Sequence, residues 1–178
     1  MYPYGPASGD SEVPNTSEYS WRCFKVDIPD DGMQFFGKRH YHAYICRNGL
    51  LLFDSKWLPW WPYNFGERWW LKKRAMLAPY WSLTDTYYSF ARHGVSKVYY
   101  HEYSDSDPGS LHMMNTATSD VKRLLMKPLP TEFQASWVMV TTWENLRPYR
   151  YPTSMANIVR VQEEYHILEQ RNVILCIV

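Results

Sequence analysis

"YHAYICRNGLLLF", residues Tyr41 to Phe53, decides how this chain folds. Two apolar runs flank Arg47-Asn48-Gly49. Asn-Gly between such runs is the strongest short-range hairpin signal. "YHAYIC" is therefore read as one strand and Leu50 to Phe53 as its returning partner. His40 and His42, two residues apart, are expected on one strand face. Upstream, "FKVDI" (Phe24 to Ile28) alternates apolar and polar residues. Pro29-Asp30-Asp31-Gly32 forms a turn, and "MQFFG" follows. Four short strands with turns at close spacing favour a sandwich-like or related β architecture.

Downstream, residues 54–74 are aromatic and basic, and Pro59, Pro62 and Gly66 break any regular element. That stretch is a long connection. "MLAPYW" reads as a short buried strand ending near Pro79, and "KVYYHEY" (Lys97 to Tyr103) as another. Asp105, Asp107, Pro108 and Gly109 make a loop. From Met114, apolar residues recur at Ala117, Val121, Leu124 and Leu125, which predicts an amphipathic helix from Met114 to Met126. Lys122, Arg123 and Lys127 suit its C-terminal end, and Pro128 and Pro130 stop it. "ASWVMVTTWENL" (Ala135 to Leu146) is a long strand whose continuous apolar run calls for cover on both faces. "NIVRVQ" and "NVILCIV" read as two last strands, with "EEYHILEQR" between them as a hairpin arm or a helical turn. The expected fold is α+β and β-rich: a mostly antiparallel, sandwich-like sheet assembly with one packed helix.

At 178 residues the chain fits one domain. Residues 1–20, rich in Pro, Gly, Ser and Asn, read as an irregular extended opening segment, and 21–178 as the domain. A formal net charge of +1 with 21% charged residues gives no basic excess for nucleic acid and no acidic tail. The aromatic fraction, 17%, is the outlier and suits pleated sheet. Cys23, Cys46 and Cys176 form no CxxC pair, so zinc of the usual spacing is not expected. The N-terminus has no basic start or apolar core, so it is not read as a signal peptide. If the protein is secreted, its signal lies outside this chain. No apolar run reaches membrane-spanning length. Asn15-Thr16-Ser17 is a glycosylation sequon.

The order of these elements is recognisable. Asn48-Gly49 precedes the apolar strand; Ala78-Pro79-Tyr80-Trp81 with Asp85 follows. Then come Tyr99-Tyr100-His101-Glu102, and Thr142-Trp143-Glu144 with Tyr149. This set resembles the nidogen-like (NIDO) domain over roughly Tyr2 to Tyr149. An acidic position of the family pattern is Leu83 here, and the C-terminal end departs from the pattern as a divergent or incomplete domain would. The resemblance implies a non-catalytic extracellular module of cell–matrix adhesion or matrix assembly. Its partners would be matrix or cell-surface proteins, with no cofactor. Extracellular placement would let two of the three cysteines pair; which two is left open.

The candidate contact surface is the tryptophan-rich loop: Trp57, Trp60, Trp61, Trp69 and Trp70, with Arg68, Lys72 and Lys73 beside it. Rings serve as anchors for a protein partner, and the cations suit acidic matrix polymers. A carbohydrate-binding module using loop 57–70 is the alternative. The bland account is that these rings fold back over the sheet, since exposed rings without a partner invite aggregation. His40, His42 and His101-Glu102 could suggest a metal, but polar strand positions explain them better, because metal sites need three or four converging ligands. No GxSxG, P-loop or GxGxxG is present, so no catalytic residue is named. Trp81 is expected as a buried wedge, with Asp85 capping its turn.

Overall fold

The Arg47-Asn48-Gly49 turn closes an antiparallel hairpin of β5 (His42–Cys46) and β6 (Leu50–Leu52). Cys46 faces Leu50 and Tyr44 faces Leu52. The loop holds three residues. Gly49, at φ 86°, donates its N–H to the Cys46 carbonyl at 3.2 Å. Only glycine takes that left-handed position without steric penalty, and it is the position a three-residue hairpin loop requires. The computed structural model describes residues 2–14, 23–29, 32–54, 62–64, 68, 71–79, 81–82, 96–124, 133–146 and 168–177.

β2 (Cys23–Asp27) pairs antiparallel with β5, and β7 (Met76–Leu77) with β6, giving the order β2–β5–β6–β7. Ile45, Cys46, Leu50, Leu51 and Leu52 are fully buried, so both faces of this hairpin are covered. Leu50, Leu52 and Cys46 pack with Leu71 and Met76, and Tyr63, Ala78 and Trp81 close over them. The expected strand "MLAPYW" stops after Leu77, because Pro79 has no N–H to give a ladder.

"YHAYIC" forms one strand, β5, from its second residue, His42, onward. β3 (Met33–Phe35) and β4 (Lys38–His40) form a separate antiparallel hairpin, and the chain bends at Tyr41 before β5 begins. Its tip is Phe36-Gly37, at φ 51° and 70°, the two positive values of a tight two-residue turn. Met33 and His40 face each other and are buried.

A further sheet has the order β1–β8–β9–β10, from β1 (Ser11–Glu12), β8 (Lys97–Ser104), β9 (Trp137–Leu146) and β10 (Leu168–Ile177). The opening segment is therefore not irregular throughout. Pro6–Ser8 form a 3-10 turn, and β1 joins the sheet. The Asp10 carboxylate accepts the Gly5 N–H at 2.9 Å, and Val13 donates to the Val98 carbonyl at 2.8 Å. Part of the segment read as a hairpin arm or helical turn, from Leu168 on, belongs to β10. "NIVRVQ" lies outside the described residues.

The one α-helix among the described residues, α1, spans Leu111–Leu124, a turn earlier than the apolar spacing predicts. Asp107 explains the early start. Its carboxylate accepts the Gly109 N–H at 3.1 Å and the Ser110 hydroxyl at 2.7 Å, and the Pro108–Ser110 turn runs straight into the helix. Met114 and Ala117 are buried with Tyr103, Ala135, Val138 and Val140. Thr118 is also buried, and its hydroxyl accepts the Ala135 N–H at 3.1 Å. Leu124, expected on that face, is 74% exposed. At 3.6 residues per turn it sits about 80° around the helix from Met114, at the edge of the stripe.

The chain divides into two compact units. One comprises Met1–Ser11, Tyr99–Thr142 and Asn172–Val178, the other Glu12–Val98 and Trp143–Arg171. The core around α1 belongs to the first, and the disulfide-bearing sheet to the second. The fold is a strand-rich α+β arrangement with antiparallel sheets and one helix. No helix among the described residues is long and apolar enough to cross a membrane.

Candidate contact surfaces

The loop singled out from sequence is described in part. Trp57, Trp60, Trp61, Trp69 and Trp70 lie outside the described residues. Arg68 is exposed, with its guanidinium carbon 5.0 Å from the Tyr63 ring centroid, a cation–π contact. Leu71–Lys73 form a 3-10 turn that buries Leu71 in the core and leaves Lys72 and Lys73 exposed. Arg74 reaches Asp54 at 3.3 Å. One buried leucine thus fixes a short turn whose flanking cations face solvent.

The family landmarks are mostly interior. Asn48 is buried in the hairpin turn, and its carbonyl accepts the Ser82 N–H at 3.1 Å. Trp81 packs half-buried against the Leu50–Leu52 core, the place of a wedge, while Pro79 is exposed. Tyr99 is buried, Tyr100 and Glu144 are half-buried, and Glu102 is exposed. Burial raises the Tyr100 phenol above its ordinary value, and Glu102 adds to this. Trp143 is buried, its indole N–H donating to the Cys46 carbonyl at 2.9 Å. Asp85 and Asn15 lie outside the described residues.

The histidines are not the matched polar strand positions that their spacing suggests. The bend at Tyr41 puts His40 on β4 and His42 on β5. His40 is buried, with Nδ1 2.9 Å from the Phe53 carbonyl oxygen and Nε2 3.0 Å from that of Phe35. One ring thus ties the β3–β4 hairpin to the end of β6. His42 is exposed, its Nδ1 2.8 Å from Asp27. Lys25 above all, with His42 adding to it, holds Asp27 below the usual carboxylate range. His101 sits 3.2 Å from buried Asp10 and stacks on Tyr103 at 4.1 Å between centroids. Among the described residues no three His, Cys, Asp or Glu side chains gather to hold a metal.

Cys23 and Cys46, directly opposed on β2 and β5, form a disulfide. The sequence left this pairing open, because facing registers emerge only once strands are aligned. Sequence reading also passed over Arg47, which is buried and donates to the carbonyls of Val13 at 3.0 Å and Ser96 at 3.4 Å. Burial lowers its pKa, while Glu12 opposes this. No local pattern marks such a residue, since its acceptors lie 34 and 49 positions away.

The sequence model of the family described as Nidogen-like domain matches residues 41–163. Alpha-tectorin of Mus musculus is 28% identical over 150 residues, covering 84% of this chain and 6% of that protein's length. No solved structure matches significantly.

Proposed function

The chain belongs to the nidogen-like domain family, and we propose that it serves as a non-catalytic extracellular module of cell–matrix adhesion or matrix assembly, acting through protein contacts. The match over residues 41–163 carries this reading. The Cys23–Cys46 disulfide supports it, since such bonds persist in oxidising compartments. Contact would centre on the tryptophan-rich loop, with Arg68, Lys72 and Lys73 supplying exposed charge. Rings and arginine at such a surface provide anchoring energy, and the rim of lysines steers an acidic partner.

The chain would act outside the cell, secreted or within the ectodomain of a larger protein. The test is retention of the purified chain on a basement-membrane protein coat. Replacing Trp60 and Trp61 with alanine should abolish retention while leaving the melting temperature unchanged. Retention unaffected by that pair, or lost only together with folding, would remove the loop from the reading. A glycan array addresses the alternative of a carbohydrate module at residues 57–70.

A further inference from the structure

His40 sits in a setting that only one charge state of its ring satisfies. The side chain is buried, with Nδ1 2.9 Å from the Phe53 carbonyl oxygen and Nε2 3.0 Å from that of Phe35. A carbonyl oxygen accepts hydrogen bonds and has no proton to give. Both ring nitrogens must therefore donate. Neutral imidazole has one N–H, so its other nitrogen would set a lone pair against a carbonyl lone pair; imidazolium has two. Turning the ring over brings no relief, because carbon atoms would then face both oxygens and both bonds would be lost.

The ring occupies a joint. β3 and β4 form a two-stranded sheet of their own, and such a hairpin is marginal in isolation. His40 ends β4, its Nε2 reaches back to Phe35 on β3, and its Nδ1 crosses to Phe53, just past β6. Apolar contacts at the same joint do not depend on charge. Met33 is buried opposite His40, and Phe35 meets Phe53 edge-on at 5.1 Å between centroids. Losing a proton here would loosen the hairpin without detaching it.

No described carboxylate bonds to the ring. β3 has no charged residue, and the titratable neighbours on and after β4 are Lys38, Arg39 and Tyr41. Beside Phe53, Asp54 is engaged by Arg74 at 3.3 Å. Asp30 and Asp31, which precede β3, lie outside the described residues. The two carbonyl dipoles are thus what replaces water around a charged His40 ring. Charge-assisted bonds of this kind are shorter and stronger than neutral ones.

We propose that His40 is a proton-operated lock on the β3–β4 hairpin. With the ring protonated, both carbonyls are bonded and the hairpin is fixed to the end of β6. On loss of the proton the ring keeps one N–H, one carbonyl loses its donor, and the hairpin opens more often. The bound proton belongs to the locked form, so the lock is complete at acidic pH and weakens as pH rises. Histidine is the side chain that ordinarily exchanges its proton between about pH 5 and 8. That range separates acidic secretory and endosomal compartments from extracellular fluid. The lock governs how the tip Phe36-Gly37 is presented, where Phe36 is 68% exposed. It shares no residue with the tryptophan-loop reading.

The test is nitrogen-15 NMR of the full chain, labelled at histidine, at about pH 5.5 and about pH 8. At the lower pH both His40 ring nitrogens should carry protons, each shielded from exchange by its carbonyl. Amide exchange in residues 33–40, corrected for its intrinsic pH dependence, should be roughly fivefold faster at the higher pH, while the β5–β6 ladder is unchanged. His40→Gln, neutral at both values, should abolish that difference. His42→Gln, which alters the exposed histidine beside Asp27, should preserve it. If His40→Gln does not fold, the wild-type spectra decide alone. The proposal is overturned if His40 carries a single N–H at both pH values, or if exchange in the hairpin does not change. It is equally overturned if both hairpins change together, or if His42→Gln removes the difference. Failure of the tryptophan pair in the matrix-coat assay leaves each of these outcomes untouched.

Discussion

Trp143 on β9 donates its indole N–H to the carbonyl of Cys46, the β5 residue whose sulfur is bonded to Cys23. The ring is buried, so no water can replace the bond. A tryptophan that resemblance marks as a landmark thus holds the strand carrying the disulfide. Trp143→Phe should cost about 1 kcal/mol through the lost bond, since the Cys46 carbonyl keeps the Gly49 N–H. Trp143→Ala should cost about 4 kcal/mol, because a cavity is added. Urea unfolding midpoints check both values.

Removing the disulfide should also be felt. Its cysteines are 23 residues apart, and closing a loop of that length in the unfolded chain corresponds to about 3 kcal/mol. Cys23→Ala with Cys46→Ala should lower stability by that order. Peptide mapping of the unreduced protein should recover residues 23 and 46 in one linked fragment.

His40 offers a third measurement. Its ring lies against the carbonyls of Phe35 and Phe53, so His40→Ala should unpin the β3–β4 hairpin from the end of β6. Amide exchange should then accelerate in residues 33–40 while the β5–β6 ladder stays protected. Global stability should fall by roughly 2 kcal/mol, as buried acceptors are left bare. Equal acceleration in both hairpins would show that His40 does not act locally.

Asp107 gives a pH dependence. The Ser110 hydroxyl first, then the Gly109 N–H, hold its carboxylate below the ordinary value of 3.8. A depressed folded value means that the unfolded chain binds the proton first. The stabilisation is therefore present above that ordinary value and is lost as pH falls through the depressed one. Asp107→Asn should lower the melting temperature at neutral pH and flatten the acid limb attributable to this site. Far-ultraviolet circular dichroism against pH, wild type beside variant, reads the difference.

Much of the strand order was legible because its signals are local. Asn48-Gly49 announced a turn, the alternation of "FKVDI" announced a strand, and "VMV" announced burial on both faces. The helix start was misplaced because periodicity sees the apolar stripe and not the Asp107 cap that begins the turn before it. The bend at Tyr41 was missed for a similar reason: His40 and His42 both sit in segments of strand composition, and nothing local says that they belong to different sheets. The landmarks Asn48, Trp81 and Trp143 were visible as residues, but their positions against the core depend on strands remote in sequence.

Sequence alone determined the family, the β-rich class, the hairpin at Asn48-Gly49 and the helix that packs Met114 and Ala117. Each rests on residue types at short, regular spacing, which local sterics and hydrophobic periodicity translate directly into structure. Tertiary structure decided the Cys23–Cys46 pairing, the buried roles of His40 and Arg47, and the exposure of Phe36 beside Lys38 and Arg39. Those depend on register and on burial by distant strands, and neither is set until the whole chain has packed.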